Sequence, residues 1–166
     1  MNKLQAKILR FFSWVAWIMG LVQLAIFWYF YNPHGILWLR YFGYFFWVVS
    51  IFLGWLPIYE LKKKGGVPKG KSYVSTTRLV DSGIYSIIRH PQFLGWMVWG
   101  IALTCISQHW VITCLGIIVI ASTYIAFIDA DIGGIEKFGE EYKLYMQKVP
   151  RMNFVVGIIQ AIKRKS

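Results

Sequence analysis

The chain is 166 residues long, 57% hydrophobic and 19% aromatic against 15% charged, with a mean hydropathy of +0.51. A soluble domain carries about a quarter charged residues, so this composition excludes an ordinary cytosolic enzyme and a disordered chain and leaves a membrane protein. The formal charge of +11, from 18 Lys and Arg against 7 Asp and Glu, fits nucleic-acid binding only if the basic residues form a stripe on a soluble face.

In chain order, residues 11–31 hold no charge and residues 36–59 only Arg40, so each is long enough to cross roughly 30 Å of hydrocarbon. The first reads as a retained span rather than a cleaved signal, being longer than an h-region of about 7 to 15 residues and lacking a small-x-small site after it. Asn32-Pro33-His34-Gly35 is turn chemistry and predicts an antiparallel hairpin. Residues 60–81, with Lys62-Lys63-Lys64, Gly65-Gly66, Pro68 and Gly70, predict an exposed loop. Residues 92–107 and 111–128 are uncharged but short and predict a second hairpin, thin or tilted. From Asp129 onward the mixture of Glu136, Phe138, Glu140, Glu141, Tyr142 and Lys143 predicts an amphipathic surface segment that ends at Pro150.

The expectation is an all-α, multi-pass membrane protein of about four spans in two hairpins with a C-terminal amphipathic cytoplasmic segment. It forms one domain, 1–166, divided into a span hairpin at 1–60, a cytoplasmic loop at 61–90 and a second hairpin with its C-terminal segment at 91–166. Four spans put both termini and the central loop on one face together with 17 of the 18 basic residues, Arg40 being the exception. The positive-inside rule makes that face cytoplasmic, and a basic belt beside anionic lipid headgroups accounts for the charge without nucleic acid.

Gly65-Gly66-Val67-Pro68-Lys69-Gly70-Lys71-Ser72 fits the phosphate-loop pattern letter for letter. That loop works only between a buried strand and a helix N-terminus, and here a membrane helix and three lysines lead in while β-branched residues follow, so the segment reads as a basic linker. Cys105 and Cys114 lie near the outer turn of the second hairpin, within reach of a disulfide if that side is oxidising, but read as packing residues. His34 and His109 belong to turns, and no metal-ligand spacing occurs.

Chemistry concentrates in two places. Arg89-His90-Pro91 precedes the third apolar segment, where Pro91 suits a first helical position. Asp129 and Asp131 close the fourth, where a carboxylate is costly unless paired or functional. A tight hairpin brings His90 and Asp131 to the same surface.

These pieces, with Leu79-Val80, Ser82-Gly83-Ile84-Tyr85, Gly95, and Phe138-Gly139-Glu140-Glu141-Tyr142 through Val149-Pro150-Arg151, resemble the isoprenylcysteine carboxyl methyltransferase and phospholipid N-methyltransferase family of membrane enzymes. The resemblance covers residues 77–151. It implies methyl transfer from S-adenosyl-L-methionine to a lipophilic acceptor: an isoprenylcysteine-like carboxylate, a phospholipid amine or a hydrophobic thiol. By the same resemblance Thr77, Arg78, Leu79, Val80, Tyr85, His90, Pro91, Gln92 and Phe93 line the cofactor site, and Asp129 and Asp131 stand where the family has a Glu-Glu pair. Arg89 and His90 are the catalytic candidates, His90 as a base or, preferably, as a hydrogen-bond donor to the cofactor. The family's prenylcysteine enzymes carry an arginine just before the acidic pair, and residues 124–128 hold none, which counts against a prenylcysteine carboxylate. The expected partners are membrane lipids and the lipophilic acceptor, with no metal. The rival reading is a non-enzymatic four-span scaffold or accessory subunit whose basic belt only sets topology.

Overall fold

The computed structural model describes residues 3–164, and every element among them is helical. Helix α1 spans Lys3–Ile26, α2 Leu37–Lys64, α3 Pro91–Ser107, α4 Trp110–Phe138, α5 Glu140–Lys148 and α6 Phe154–Lys163, with a 3₁₀ turn at Gly83–Ser86. Three helices are long and apolar enough to cross a membrane, α1 from Leu4, α2 and α4. Helix α3 is equally apolar, but its 17 residues reach only about 25 Å at 1.5 Å per residue. The all-α, multi-pass expectation is borne out.

Three boundaries differ from the sequence reading. Helix α1 stops at Ile26, and residues 27–30 form turns. Helix α2 continues through Lys62-Lys63-Lys64 before the loop begins, because cations suit the negative end of a helix and Lys64 pairs with Glu60 one turn back at 2.6 Å. Helix α4 does not end at Ile128 but continues through Asp131 and Glu136 to Phe138, and Gly139, with φ of 59°, separates it from α5. A carboxylate inside a helix this apolar is tolerable only if its charge is answered locally, as it is at Asp131. The phosphate-loop pattern lies in irregular chain with no strand leading into it.

The chain groups into two compact units. The first comprises Met1–Phe52 and Phe93–Ala130. Its core holds Phe27, Leu103, Ile106 and Ile112, with Trp47 and Trp99 packed on them. Several polar side chains there donate to backbone. The amide of Gln23, fully buried in α1, donates to the carbonyls of Gly100 in α3 at 3.2 Å and Ile112 in α4 at 3.1 Å. Trp96 Nε1 donates to Ala16 O at 3.0 Å and so ties α3 to α1. In the first interhelical turn His34 N donates to Asn32 Oδ1 at 3.1 Å and Arg40 to Asn32 O at 2.9 Å, while His109 Nδ1 accepts from Val111 N at 3.3 Å, so both histidines serve turns. Cys105 and Cys114 are free thiols, Cys105 half-buried and Cys114 exposed, so the packing role suits Cys105 alone.

The second unit, Leu53–Gln92 and Asp131–Ser166, contains α5, α6 and the irregular segment between α2 and α3. Its core includes Tyr142, Tyr145 and Val149, which the helical repeat puts on one face of α5, with Leu79 and Ile135 against them.

Because Gln23 links α1 to both α3 and α4, Gln23→Leu, which keeps volume and deletes the amide, is expected to cost about 1 kcal/mol, typical of an interhelical hydrogen bond in a membrane protein. Thermal unfolding in detergent measures it.

Candidate active site

Asp131 is the centre of the second unit. It faces inward from α4 at 3% exposure, and its two carboxylate oxygens take four hydrogen bonds. Arg89 Nη2 donates to Oδ2 at 3.2 Å and Arg151 Nε to the same oxygen at 2.8 Å. His90 Nε2 meets Oδ1 at 2.7 Å, and the Tyr142 hydroxyl donates to Oδ1 at 3.0 Å. A carboxylate offers about four lone-pair positions, so Asp131 is saturated.

Local folding explains the convergence. Arg89 is held from its backbone, its N–H donating to Pro150 O at 3.1 Å, and from its guanidinium, Nη1 donating to Met146 O at 3.0 Å. Pro91 opens α3 as expected, and a residue before proline is kept extended, which fixes the direction of His90. Tyr142 reaches Asp131 because Gly134, one turn on in α4, leaves room for its ring; a Cβ there would overlap the phenol. Tyr145 stands on Tyr142 edge to face at 5.7 Å and donates its hydroxyl to Tyr85 O at 2.6 Å, tying α5 to the 3₁₀ turn.

Burial pushes the His90 imidazole below its ordinary value of 6.5, and the guanidiniums of Arg89 and Arg151 act in the same direction against the Asp131 carboxylate. His90 is therefore neutral at physiological pH, and because the carboxylate only accepts, Nε2 carries the proton. Burial and then the Asp131 charge raise the Tyr142 phenol far above its usual range, so it stays a donor.

Of the residues expected at the site, the structure brings Arg89, His90 and Asp131 together. Pro91, Val80 and Tyr85 are buried, and Leu79 and Gln92 half-buried. Thr77 and Arg78 are exposed: their backbone N–H groups donate to Gly65 O at 2.8 and 3.1 Å, and Thr77 Oγ1 donates to Gly66 O at 2.8 Å. Phe93 belongs to the first unit, where its ring packs on Phe127 at 5.5 Å. Asp129 is half-buried, and its side chain makes no hydrogen bond or ion pair among the described residues. Two positions along a helix turn the side chain by about 200°, so Asp129 cannot share the Asp131 cluster. Tyr142 and Arg151 were absent from the expected site. The available signal was charge balance: a buried acid in a chain this poor in acids requires donors, and both stand in the stretch after α4 that carries the family resemblance.

Beside the cluster lies a cleft of about 140 Å³, lined by Leu79, Asp81, Glu141, Tyr145, Lys148 and Arg164 among others. Its lining carries both charge signs beside apolar and aromatic side chains. Among the described residues no group of three His, Cys, Asp or Glu side chains could hold a metal ion.

Asp131→Asn would leave two guanidiniums facing a neutral amide, and breaking a buried ion pair costs about 3 kcal/mol or more, so a lowered unfolding midpoint is expected. Gly134→Ala is expected to destabilise as well, by displacing Tyr142. The unfolded state takes up a proton at the ordinary His pKa while folded His90 resists it. Stability from the neutral ring is thus present above pH 6.5 and lost as pH falls through that value. Unfolding midpoints from pH 7.5 down to about 5.5 should fall more steeply in the wild type than in His90→Asn.

Residues 69–131 match the model of the isoprenylcysteine carboxyl methyltransferase (ICMT) family, a stretch that ends on Asp131. Protein-S-isoprenylcysteine O-methyltransferases of mouse and human are each 33% identical over 88 residues, 50% of this chain and 30% of theirs. The fission yeast enzyme of the same name is 30% identical over 73 residues, 43% of this chain and 31% of its own. The chain thus aligns with under a third of the length of these relatives. No solved structure matches it. The stretch that carries Arg89, His90 and Asp131 is thus the part of this chain that is similar to the isoprenylcysteine carboxyl methyltransferase family.

Proposed function

We propose that the protein is an integral membrane methyltransferase that moves a methyl group from S-adenosyl-L-methionine to the carboxylate of an isoprenylcysteine. The observation that carries this reading is the coincidence of the family match at 69–131 with the buried cluster built on Arg89, His90 and Asp131. The names of the aligned relatives favour the prenylcysteine carboxylate over an amine or thiol, against the missing arginine at 124–128.

The cofactor, when bound, supplies an electrophilic methyl on a sulfonium. Its amino-acid end carries an ammonium and a carboxylate, and the cleft offers Asp81 and Glu141 to the first and Lys148 and Arg164 to the second. At about 140 Å³ the cleft suits that end alone, since pockets for whole ligands of this size run to about 300 Å³ or more. Asp131, already taking four donors, acts as the organiser of the site rather than as a cofactor ligand.

A carboxylate acceptor is ionised at neutral pH and needs no general base, whereas an amine or thiol would. A neutral His90 with its proton committed to Asp131 suits the first case: it positions, and alignment with exclusion of water supplies the rate. In a four-span arrangement 17 of the 18 basic residues share the face of the termini and the central loop, and the positive-inside rule makes that face cytoplasmic.

The full chain in detergent is expected to bind S-adenosylhomocysteine by calorimetry, to bind it more weakly as Lys148→Ala or Asp81→Asn, and to label an N-acetyl-S-prenylcysteine from methyl-labelled cofactor. Absence of binding at millimolar ligand sinks the enzyme reading. Binding with label entering phosphatidylethanolamine, and none entering prenylcysteine, sinks the acceptor assignment alone.

A further inference from the structure

Helix α6 is amphipathic in the inverse sense. At about 100° per residue, Phe154, Val155, Ile158, Ile159 and Ile162 fall within an arc of about 140°. All five are exposed, from 37 to 68%. On the opposite arc Gly157 is buried, Gln160 half-buried, and Arg164 bonded to the rest of the protein. A Cβ on Gly157 would collide with the Ile87 carbonyl oxygen, and the Arg164 guanidinium donates to Lys148 O at 3.0 Å and to Ser86 O. Neighbouring α5 is ordinary: it buries Tyr142 and Tyr145 and shows Glu140, Glu141, Lys143 and Lys148 to the outside.

A helix that turns its polar side to the protein and its apolar side outward needs an apolar medium on that side. The chain already requires one, since α1, α2 and α4 have the length and composition of membrane spans. Lys163 in the last turn of α6 matches the phosphates at the edge of such a medium. We propose that α6 lies in the plane of the membrane interface, its Phe154, Val155, Ile158, Ile159 and Ile162 face set in the acyl boundary of an anionic leaflet. The leaflet then holds, through Gly157 and Arg164, the Ser86 and Ile87 backbone just ahead of Arg89 and His90. The inference is independent of the methyl-transfer reading.

The test uses the full chain with Cys105→Ser and Cys114→Ser, carrying an environment-sensitive fluorophore at Ile159→Cys or, as the water-facing control, at Lys143→Cys. Both are reconstituted in phosphatidylglycerol–phosphatidylcholine vesicles. The label at position 159 is expected to emit to the blue of the control, to lose emission to nitroxides on the acyl chains, and to resist iodide. Iodide quenching equal to that of the control overturns the proposal. So does self-quenching that grows with protein density while acyl nitroxides have no effect, which would identify a second copy as the occupant. Val155→Cys repeats the measurement on the same face should Ile159→Cys fail to fold.

Discussion

The carboxylate of Asp131 must be fully paired, and much of the second unit is arranged to pair it. A charge placed in a helix as apolar as α4 is costly unless opposite charge and hydrogen bonds surround it. Here four donors come from three further places in the chain: Arg89 and His90 ahead of α3, Tyr142 on α5, and Arg151 beyond it. Two guanidiniums against one carboxylate leave the cluster net positive, which helps to explain why His90 is neutral. Burial first, and then the two guanidiniums, hold the histidine below its ordinary pKa against the pull of Asp131.

The first unit follows a different logic with the same rule behind it. Exposed Phe, Trp and Ile side chains on α1 and α2 would be a liability in water and are ordinary against lipid. Polar groups are few there, and Gln23 donates to carbonyls of two other helices. Helix α6 extends that solvent logic to a segment too short to span, where the side that is exposed, rather than the side that is packed, is apolar.

The sequence was most readable where composition alone carries the physics. Long uncharged runs gave the spans, Pro91 gave the start of α3, and the scarcity of acids singled out Asp131. The reading was weaker where a polar residue can continue a helix. Lys62 to Lys64 and Asp129 to Lys137 look like loop or surface chain by hydropathy, yet they prolong α2 and α4, because pairing and helix-end charge offset their polarity. Asp129 and Asp131 look equivalent in sequence, and helical rotation separates them.

The sequence by itself determined the helical membrane class and the stretch that aligns with the methyltransferase family, because both depend on local composition and residue order. The tertiary structure alone decided which donors meet Asp131, that Asp129 is not among them, that Thr77 and Arg78 are bound to the basic loop, and that α6 turns its apolar face outward. Each of these depends on contacts between residues far apart in the chain, or on which side of a helix the rest of the fold happens to cover, and hydropathy along a chain encodes neither.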